Sequence, residues 1–520
     1  MTARSTSFLL PSGACVADAR AVLADLAEQD GESRFRRTWH DSFDWRLYAA
    51  GSQLVRESEG KNGRLSWQSL ETGESLGRLP GAAPPRFARD LPDCPAVRRL
   101  SAILENRALM PRLESSGRRR RFRVRDDAGK TLLRIDFETG AFRDPETGRA
   151  SEETSRIDLL PVKGYEAAFA HAKDSIASRL DLQPRSEQLL TTALAALGRR
   201  PMDYIAKPRL IFSPHMSASE AARIIHLSLI ETMRRNESGI LQDIDSEFLH
   251  DFRVAIRRAR SALAQIREVF GADLTGWAKD ELKWLGDETT PLRDLDVFLL
   301  DLPELRHRLP ATEQAALDPF RVYLTKRRQQ AFDRCCEALR SRRYRDFIDH
   351  WQQALAIQPG GDRHPRNADH PAIYLASARI RKLYRRVRAD GLAITDASPP
   401  EALHELRKDA KKLRYMIEFF QSLYDPAEIA ALIKELRRLQ DVLGRYQDCE
   451  VQRQALAQFA EDMQAEGAAP AATLLALGQI AESTAREEAD LRTQYTDSFR
   501  RFDSDRQRQR VKRLFGSRSR

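Results

Sequence analysis

The sequence predicts an antiparallel α+β N-terminal domain followed by an all-α domain made of two similar helical halves. Turn residues are frequent up to about residue 205 and separate short apolar segments, as in hairpins. From Ser217 onward the apolar residues follow helical periodicity almost throughout. A basic segment that begins with histidine also occurs twice in this part. We therefore predict domains over residues 1–205 and 206–505, and a basic tail over 506–520.

The composition limits the class of protein. Of the 520 residues, 42% are hydrophobic, which is enough for the cores of two or three domains. The net charge of +10 favours polyanionic partners, such as nucleic acid, a phosphate polymer or an anionic membrane surface. No run of 18 apolar residues occurs and the first residues do not resemble a signal peptide, so we expect a cytoplasmic protein with no membrane partner.

The cysteines give no indication of a metal site. The sequence has five of them, an odd number, with no CxxC pair and no Cys/His spacing typical of zinc ligands. Reduced thiols are the expectation for such a set in a cytosolic protein. We predict no metal ion, no cofactor and no catalytic residues.

The elements of the N-terminal domain follow from its turns and periodicity. Helices are predicted near Ala14–Glu28 and Tyr165–Leu180, and strands near Arg119–Val124 and Thr131–Phe137. The stretch Arg200–Pro214 contains several prolines and ends the domain.

The helical domain begins at a recognisable start signal. Ser217 with Glu220 fits a capping box. The loop over Pro359–Asp369 is rich in Pro, Gly, Asp and His, and we predict that it links two bundles over about 215–358 and 370–500. Residues after about Arg501 are mostly Arg, Gln, Asp and Ser, which predicts a frayed tail.

The basic segment that occurs twice indicates an internal duplication. The first copy is His250–Arg260 and the second is His404–Arg414, an offset of 404 − 250 = 154 residues. The same offset relates further pairs: Phe270 and Tyr424, Asp287 and Asp441, Asp294 and Asp448, Val297 and Val451. One register held over some fifty residues indicates duplication and predicts two pseudo-symmetric helical bundles.

Each copy places its cations on one side of a helix. At 100° per residue, four positions of each copy fall within an arc of about 80°, opposite an apolar stripe. These positions are His250, Arg253, Arg257 and Arg260 in the first copy, and His404, Arg407, Lys411 and Arg414 in the second. An ordinary solvated face is one interpretation, but such faces usually mix charges of both signs. Two arcs of one sign favour anion binding, and we interpret the repeated aspartates as partners of the arginines rather than catalytic groups.

These residues resemble the CHAD family (conserved histidine α-helical domain). The resemblance covers about residues 215–500 and includes Leu282–Asp287 and Leu439–Gly444. It implies two pseudo-symmetric bundles around a basic cavity that binds inorganic polyphosphate. Carried over to this sequence, the binding set is His250, Arg253, Arg257, Arg258, Arg260, His404, Arg407, Lys408, Lys411, Lys412 and Arg414, with the neighbouring Lys283, Arg293, Arg437 and Arg438 added.

The residue types in the two arcs agree with such a ligand. Polyphosphate has charge but no bases, so it requires Arg forks and Lys point charges. Single-stranded nucleic acid would in addition require aromatic platforms, and neither arc contains one. We therefore predict non-catalytic polyphosphate binding, at polyphosphate granules in the cytoplasm. Nucleic acid is not expected as the main ligand, and a nucleic-acid-binding adaptor is kept as an alternative.

The N-terminal region is similar to the CYTH family, whose fold is a triphosphate tunnel. The similarity is carried by Trp39–Asp44, Leu47, Gly51 and Leu54–Arg56. It implies a barrel, here a degenerate one, in which Arg56, Arg118, Arg120 and Arg123 could bind phosphate.

The metal-binding part of the CYTH pattern is incomplete. The family has an ExExK strand near its start, where this chain has the carboxylate-free Ser7–Pro11. An ExExK string occurs later, at Glu57–Lys61, where we expect its carboxylates to splay at a hairpin end. The late acidic strand is reduced to Arg156–Leu160, with one carboxylate. We predict no catalysis, with a metal-dependent triphosphatase or polyphosphatase as the alternative.

Overall fold

The computed structural model describes residues 6–10, 16–60, 62–81, 83–182, 189–207, 209–356 and 365–516. The chain divides into two units, Met1–Ala206 and Lys207–Arg520. The first is an antiparallel sheet with helices, and the second is helical.

In the described part of the N-terminal unit, eight strands form one antiparallel sheet. They are β1 (Thr6–Leu9), β2 (Glu28–Asp41), β3 (Ser52–Glu59), β4 (Asn62–Ser69), β5 (Ser75–Gly77), β6 (Met110–Arg125), β7 (Thr131–Arg143) and β8 (Thr154–Pro161). Their order is β1-β8-β7-β6-β2-β3-β4-β5. The sheet is open, which corrects the predicted barrel. Between the described residues of the two edge strands there is no pairing, because β1 pairs with β8 and the three-residue β5 pairs with β4.

Helices pack against both faces of this sheet. They are α1 (Val16–Leu26), α2 (Arg46–Ala49), α3 (Pro95–Leu104), α4 (Glu166–Arg179) and α5 (Leu189–Ala196). Helices α1 to α4 lie on one face, and α5 packs on the other face against Trp39, Val55 and Leu113. Apolar residues at alternate strand positions, such as Ile135, Phe137 and Ile157, pack with Leu23 of α1 and Ile176 of α4. Strand alternation turns the intervening residues of β6, β7 and β8 to the opposite face, where many are charged. Of the predicted first helix, Ala14 and Cys15 lie outside the described residues.

The helical unit repeats its first elements at the spacing seen in the sequence. The first series is α6 (Ala218–Leu241), α7 (Ser246–Gln265), α8 (Ala272–His307), α9 (Asp318–Arg340) and α10 (Arg342–Ala356). The second is α11 (Ala372–Ala393), α12 (Pro400–Phe420), α13 (Pro426–Ala465), α14 (Ala471–Phe502) and α15 (Asp505–Phe515). The first three starts differ by 154 residues, since 372 − 218, 400 − 246 and 426 − 272 all equal 154. None of the helices, over their described residues, is long and apolar enough to cross a membrane.

The two series meet at equivalent positions. Ser217 and Pro371, which are 371 − 217 = 154 residues apart, face each other in an antiparallel bridge. Around them, the Ala218 N–H donates to the His370 carbonyl and the Ala372 N–H donates to the Met216 carbonyl, each at 2.8 Å. The two hydrogen bonds are equivalent, because Ala218 and Ala372 are 154 residues apart, and so are Met216 and His370. Ser217 also caps α6 as predicted, because its side chain accepts from the Glu220 N–H at 3.2 Å.

The C-terminal segment is a packed helix rather than the predicted frayed tail. Gln507, Val511 and Phe515 are four residues apart and all buried, so α15 has a continuous inward stripe. Buried Arg510 adds an ion pair with Glu428 at 3.0 Å. Low overall hydrophobicity concealed this stripe in the sequence. Residues 517–520 of the predicted tail, and 359–364 of the predicted linker, lie outside the described residues.

Candidate anion-binding site on the repeated helices

The repeated helices α7 and α12 bury their apolar stripes as predicted. In α7 the buried residues include Phe252 and Ile256, and in α12 they include Leu406 and Leu413. Asp245 starts α7 by accepting hydrogen bonds from the Glu247 and Phe248 N–H groups at 2.9 and 3.2 Å. Burial of one stripe fixes the rotation of each helix and leaves the cationic positions on another side.

Arg253 of α7 is held against α8 by neutral acceptors. Its Nη1 donates to the Gly286 carbonyl at 3.0 Å and to the Thr289 and Thr290 hydroxyls at 2.9 Å. Burial, together with the neighbouring Arg257 and Arg293, lowers the pKa of Arg253 to about 10. Its buried Nε has no hydrogen-bond partner in the described structure. The guanidinium is therefore rigidly placed with little compensating negative charge.

Arg407, the counterpart of Arg253, has a similar environment on α12. Its Nη2 donates to Asp448 of α13 at 3.1 Å, which agrees with the interpretation of the repeated aspartates as arginine partners. Burial, and the positive charge of Arg257, lower the pKa of Arg407. Its Nε, like that of Arg253, is buried without a hydrogen-bond partner among the described residues.

Lys411 shows that cations of the two helices lie close together. Burial lowers its pKa to about 8, and the positive charges of Arg407, Arg257 and Arg414 contribute. Arg257 belongs to α7, whereas the other three residues belong to α12. Within the described segments, the side chains of Arg257 and Lys411 form no ion pair or hydrogen bond. Both are therefore available to a ligand.

We call the set Arg253, Arg257, Arg293, Arg407, Lys411 and Arg414 the cationic patch. Asp294, Asp301 and Asp448 interact electrostatically with it, and partial desolvation raises the pKa of each of these exposed carboxylates. Glu418 also lies 3.8 Å from Arg414, and Glu247 lies 3.5 Å from Arg293. The lowered pKa values of Arg253, Arg407 and Lys411 indicate that these three half-buried cations are only partly solvated. An anion in this place would compensate charge that water compensates only in part.

A second group of cations surrounds Glu418 of α12. Arg258 Nη1 lies 2.8 Å from Glu418 Oε2, while Arg437 and Arg414 lie 3.5 and 3.8 Å from Oε1. Arg258 is only 5% exposed, and its guanidinium packs over the Phe419 ring. Arg258 belongs to the set carried over from the family, but in this structure its guanidinium is buried in an interhelical ion pair.

Lys207 is a cation that the sequence interpretation missed. Although Lys207 is exposed, partial desolvation lowers its pKa, and its charge interacts with those of Glu418, Arg414, Arg258 and Arg437. It lies before the first predicted helix of the domain, outside both repeats, so no periodicity or duplication pointed to it.

The histidines are less exposed to a ligand than the sequence suggested. His404 Nδ1 hydrogen-bonds the Gln447 side chain, whose Nε2 donates to Glu450 at 2.9 Å. His250 is half-buried near the start of α7. The contact to Gln447 ties His404 to α13 and gives it a positioning role.

Other predicted cations are compensated by nearby groups. Three pair with carboxylates three residues away on their own helix, each at 2.7 Å: Lys408 with Glu405, Lys412 with Asp409 and Arg438 with Glu435. Arg293 of the patch donates to the Ser246 carbonyl at 3.2 Å and lies 3.5 Å from Glu247. Arg260 and Lys283 are exposed, and in the described ranges neither forms an ion pair.

The N-terminal sheet carries a separate charged network on the face opposite α1 and α4, which is also the face that α5 packs against. It contains Arg37, Arg119, Arg121 and Arg156 with Glu57, Glu59, Asp136, Glu138 and Asp158. Arg156 and Arg37 outweigh the effect of burial and lower the pKa of Glu138 to about 2. Four arginines and five carboxylates leave no positive excess in this network.

Two predictions about this sheet need correction. Glu57 does not splay at a hairpin end, since it lies in β3 and pairs with Arg37 at 2.7 Å and Arg119 at 2.8 Å. Arg118 and Arg120, predicted for the tunnel, pair instead with Glu32 at 3.8 and 3.1 Å. The register of β6 turns Arg119 and Arg121 to the network face, and alternation turns their neighbours away. Among the described residues, no group of three or more His, Cys, Asp or Glu could hold a metal ion.

The fold and the patch define a class of protein, a duplicated helical domain with cations gathered on its repeated helices. Residues 225–457 match the model of the CHAD domain family. The helical unit thus contains a CHAD domain, and the resemblance inferred from its repeated helix is confirmed. The similarity of the N-terminal unit to the CYTH family stays a prediction.

Relatives of known sequence and structure match part of the chain. Two proteins named as uncharacterized are Rv2226 of Mycobacterium tuberculosis strain H37Rv, 31% identical over 223 residues, and MT2285 of strain CDC 1551, 30% identical over 223 residues. Each match covers 41% of this chain and 40% of the relative, so it spans less than half of either protein.

Two solved structures also align with the chain. The CHAD domain from the plant Ricinus communis is 25% identical and covers 56% of this chain and 94% of its own, with a TM-score of 0.46. PptA from Streptomyces chartreusis is 19% identical and covers 55% of this chain and 100% of its own, with a TM-score of 0.42.

Proposed function

We propose that the helical unit binds inorganic polyphosphate at the cationic patch and performs no chemistry on it. The observation that carries the proposal is the approach of Arg257 on α7 to Arg407 and Lys411 on α12, where burial and, to a lesser degree, the charge of Arg257 lower the pKa of both. Bringing like charges together where two of the three are half-buried costs free energy. A polyanion that contacts both helices would offset that cost. An ordinary solvated helix face has no such cost and needs no anion.

The side-chain chemistry favours a phosphate polymer. Five of the six patch residues are arginines, whose guanidinium groups bind phosphate oxygens in bidentate fashion, and Lys411 adds a point charge. The aromatic Tyr415 close to this region is buried beneath Arg258 and is 8% exposed, so it offers no platform for a nucleobase. A ligand recognised mainly by its charge and oxygen atoms fits these residues better than a nucleic acid.

The proposed ligand lies across two pseudo-symmetric halves. Support comes from the helix starts that recur after 154 residues and from the reciprocal hydrogen bonds around Ser217 and Pro371. The offset also relates patch residues, because 253 + 154 = 407 and 257 + 154 = 411. A polymer of identical units suits such a site, since each half meets the same chemical group. Residence at cytoplasmic polyphosphate granules is part of the proposal.

Binding at physiological salt, in competition with single-stranded DNA, tests this function. We expect Arg257→Ala/Lys411→Ala to lower polyphosphate affinity about 100-fold, since each charge-assisted contact contributes about 1.5 kcal/mol or more. The matched control is Lys326→Ala/Arg334→Ala, which removes two exposed cations of α9 that form no ion pair in the described structure. Equal losses in both variants, or displacement by DNA of matched charge, would reject the proposal.

A second candidate is phosphate-ester or polyphosphate hydrolysis by the N-terminal unit. It is favoured by one observation, the position of Glu57 and Glu59 on the same face as Arg37, Arg119 and Arg121. Release of phosphate from tripolyphosphate, dependent on Mg²⁺ or Mn²⁺ and lost in Glu57→Gln/Glu59→Gln, would support this candidate. No release with either metal would leave binding by the helical unit as the function.

A further inference from the structure

We propose that a second anion site lies between α11 and α15 and binds a small anion that carries a diphosphate group. A cavity of about 480 Å³ is lined there by Arg381, Tyr384, Arg385, Arg388, Arg508 and Lys512. Its volume is in the range of small-molecule sites and corresponds to about 16 water molecules at about 30 Å³ each. The site differs from the cationic patch in all of its residues, and its ligand does not depend on the function proposed there.

The cavity has an excess of positive charge. Arg388 and Arg508 both pair with Asp503, and Arg508 also pairs with Asp505. The side chains of Arg381, Arg385 and Lys512 form no ion pair or hydrogen bond within the described segments. Five cations and two carboxylates give 5 − 2 = +3, which matches the charge of a diphosphate group near neutral pH.

A buried hydroxyl group adds an uncharged donor. Tyr384 lines the cavity although it is only 4% exposed, and its hydroxyl has no hydrogen-bond partner in the described structure. Buried hydroxyl groups are normally satisfied, because leaving one unpaired costs free energy. The Tyr384 hydroxyl is close enough to Asp503, Arg388 and Arg508 for their charges to affect its pKa. A phosphate oxygen held by the two arginines would give this hydroxyl an acceptor.

The site is not a by-product of the duplication. Subtracting 154 from Arg381, Arg385 and Arg388 gives Leu227, Glu231 and Arg234, so the first half replaces two of the three cations. The other cations, Arg508 and Lys512, lie one helical turn apart on α15, the helix that packs against α11. Cations from two separate elements of the second half therefore converge where the first half has no matching set.

The test is calorimetric titration of the full chain with inorganic pyrophosphate in an Arg257→Ala/Lys411→Ala background, which weakens the cationic patch. We expect binding to persist in this background and to weaken at least about tenfold when Arg385→Ala/Lys512→Ala is added. The matched control is Lys382→Ala/Arg506→Ala, which removes one exposed, unpaired cation from each of the same two helices outside the cavity lining. The control should bind as tightly as its background.

Two further arms define the ligand and the role of the hydroxyl. ADP is titrated beside pyrophosphate, since both carry a diphosphate group. The anion with the higher affinity shows whether the ligand is an inorganic diphosphate or a nucleoside diphosphate. Tyr384→Phe keeps the ring and its packing and should weaken binding two- to tenfold. The inference is overturned if the background variant binds neither anion, or if Arg385→Ala/Lys512→Ala binds both as well as the control. If the Arg257→Ala/Lys411→Ala substitutions left polyphosphate affinity unchanged while the cavity still bound pyrophosphate, the function proposed for the cationic patch would be rejected and the cavity site would stand.

Discussion

Arg258 and Glu418 join the two repeated helices through a buried ion pair, with 2.8 Å between Arg258 Nη1 and Glu418 Oε2. They are 5% and 9% exposed. Glu418 also lies 3.5 Å from Arg437 of α13 and 3.8 Å from Arg414. One carboxylate therefore fixes the relative positions of α7, α12 and α13 and keeps several cations near the proposed site.

Removing this carboxylate should destabilise the helical unit more than removing its main partner. We expect Glu418→Ala to cost about 3 kcal/mol or more, because it leaves buried Arg258 without a counter-charge, and Arg258→Ala to cost less. Hydrogen exchange of the α7 and α12 amides measures the local loss of stability in the full chain. If Arg258→Ala instead lowered polyphosphate affinity without changing exchange, Arg258 would be a ligand contact rather than a structural residue.

Arg253 and Arg257, one turn apart on α7, should respond differently to truncation. Arg253→Ala leaves the acceptors on Thr289 and Thr290 unpaired, so we expect a loss of about 1–3 kcal/mol in stability as well as weaker binding. Arg257→Ala breaks no described contact and should change stability by less than about 0.5 kcal/mol while affinity falls about tenfold. Denaturant unfolding and polyphosphate titration of both variants check this contrast, which equal stabilities would contradict.

Polyphosphate affinity should decrease as the pH rises through about 8. The pKa of Lys411 in the free protein is lowered from its ordinary 10.5 to about 8, so Lys411 is protonated at pH 7 and largely neutral at pH 9. A bound anion favours the charged form, and binding near pH 8.5 should therefore take up protons. Titration calorimetry in buffers of different ionisation enthalpy measures that uptake. Lys411→Arg keeps its charge and should abolish the decrease near pH 8; an unchanged profile in this variant would exclude Lys411 as its source.

The same shift has a consequence for the stability of the free protein. Because the folded pKa of Lys411 lies below the unfolded one, the unfolded chain binds more protons between pH 8 and 10.5. The contribution of Lys411 to stability therefore rises with pH across this interval. The difference in stability between wild type and Lys411→Met, measured by hydrogen exchange of the α12 amides, should shrink as the pH rises. A constant difference would contradict the lowered pKa of Lys411.

Acid should loosen the N-terminal sheet through Glu138. Its pKa falls from 4.5 to about 2 on folding, so the stability that it contributes is fully present above pH 4.5 and is lost as the pH falls toward 2. At neutral pH, Glu138→Gln leaves buried arginines uncompensated and should cost about 3 kcal/mol. Hydrogen exchange in β6, β7 and β8 reports the loss. A variant as stable as wild type would show that Glu57 and Asp158 suffice to compensate the arginines.

The sequence by itself determined the rotation of the repeated helices and their duplication. A buried residue must recur every three or four positions in a helix, so periodicity alone assigns Phe252, Ile256, Leu406 and Leu413 to the core. The same rule placed Arg253, Arg257, Arg407 and Lys411 on the other side. Both predictions are local, since they depend only on the geometry of one helix and on comparison of two segments.

Only the tertiary structure decided which cations are available to a ligand. Lys411 and Lys412 are neighbours in the sequence, yet Lys412 pairs with Asp409 and Lys411 with no carboxylate in the described chain. Arg119, rather than Arg118, joins the network of the sheet, because the pairing of β6 with β7 sets its direction. Ion pairs such as Arg258–Glu418 join residues 418 − 258 = 160 positions apart. Such partners depend on how whole elements pack, and no periodicity within one element encodes them.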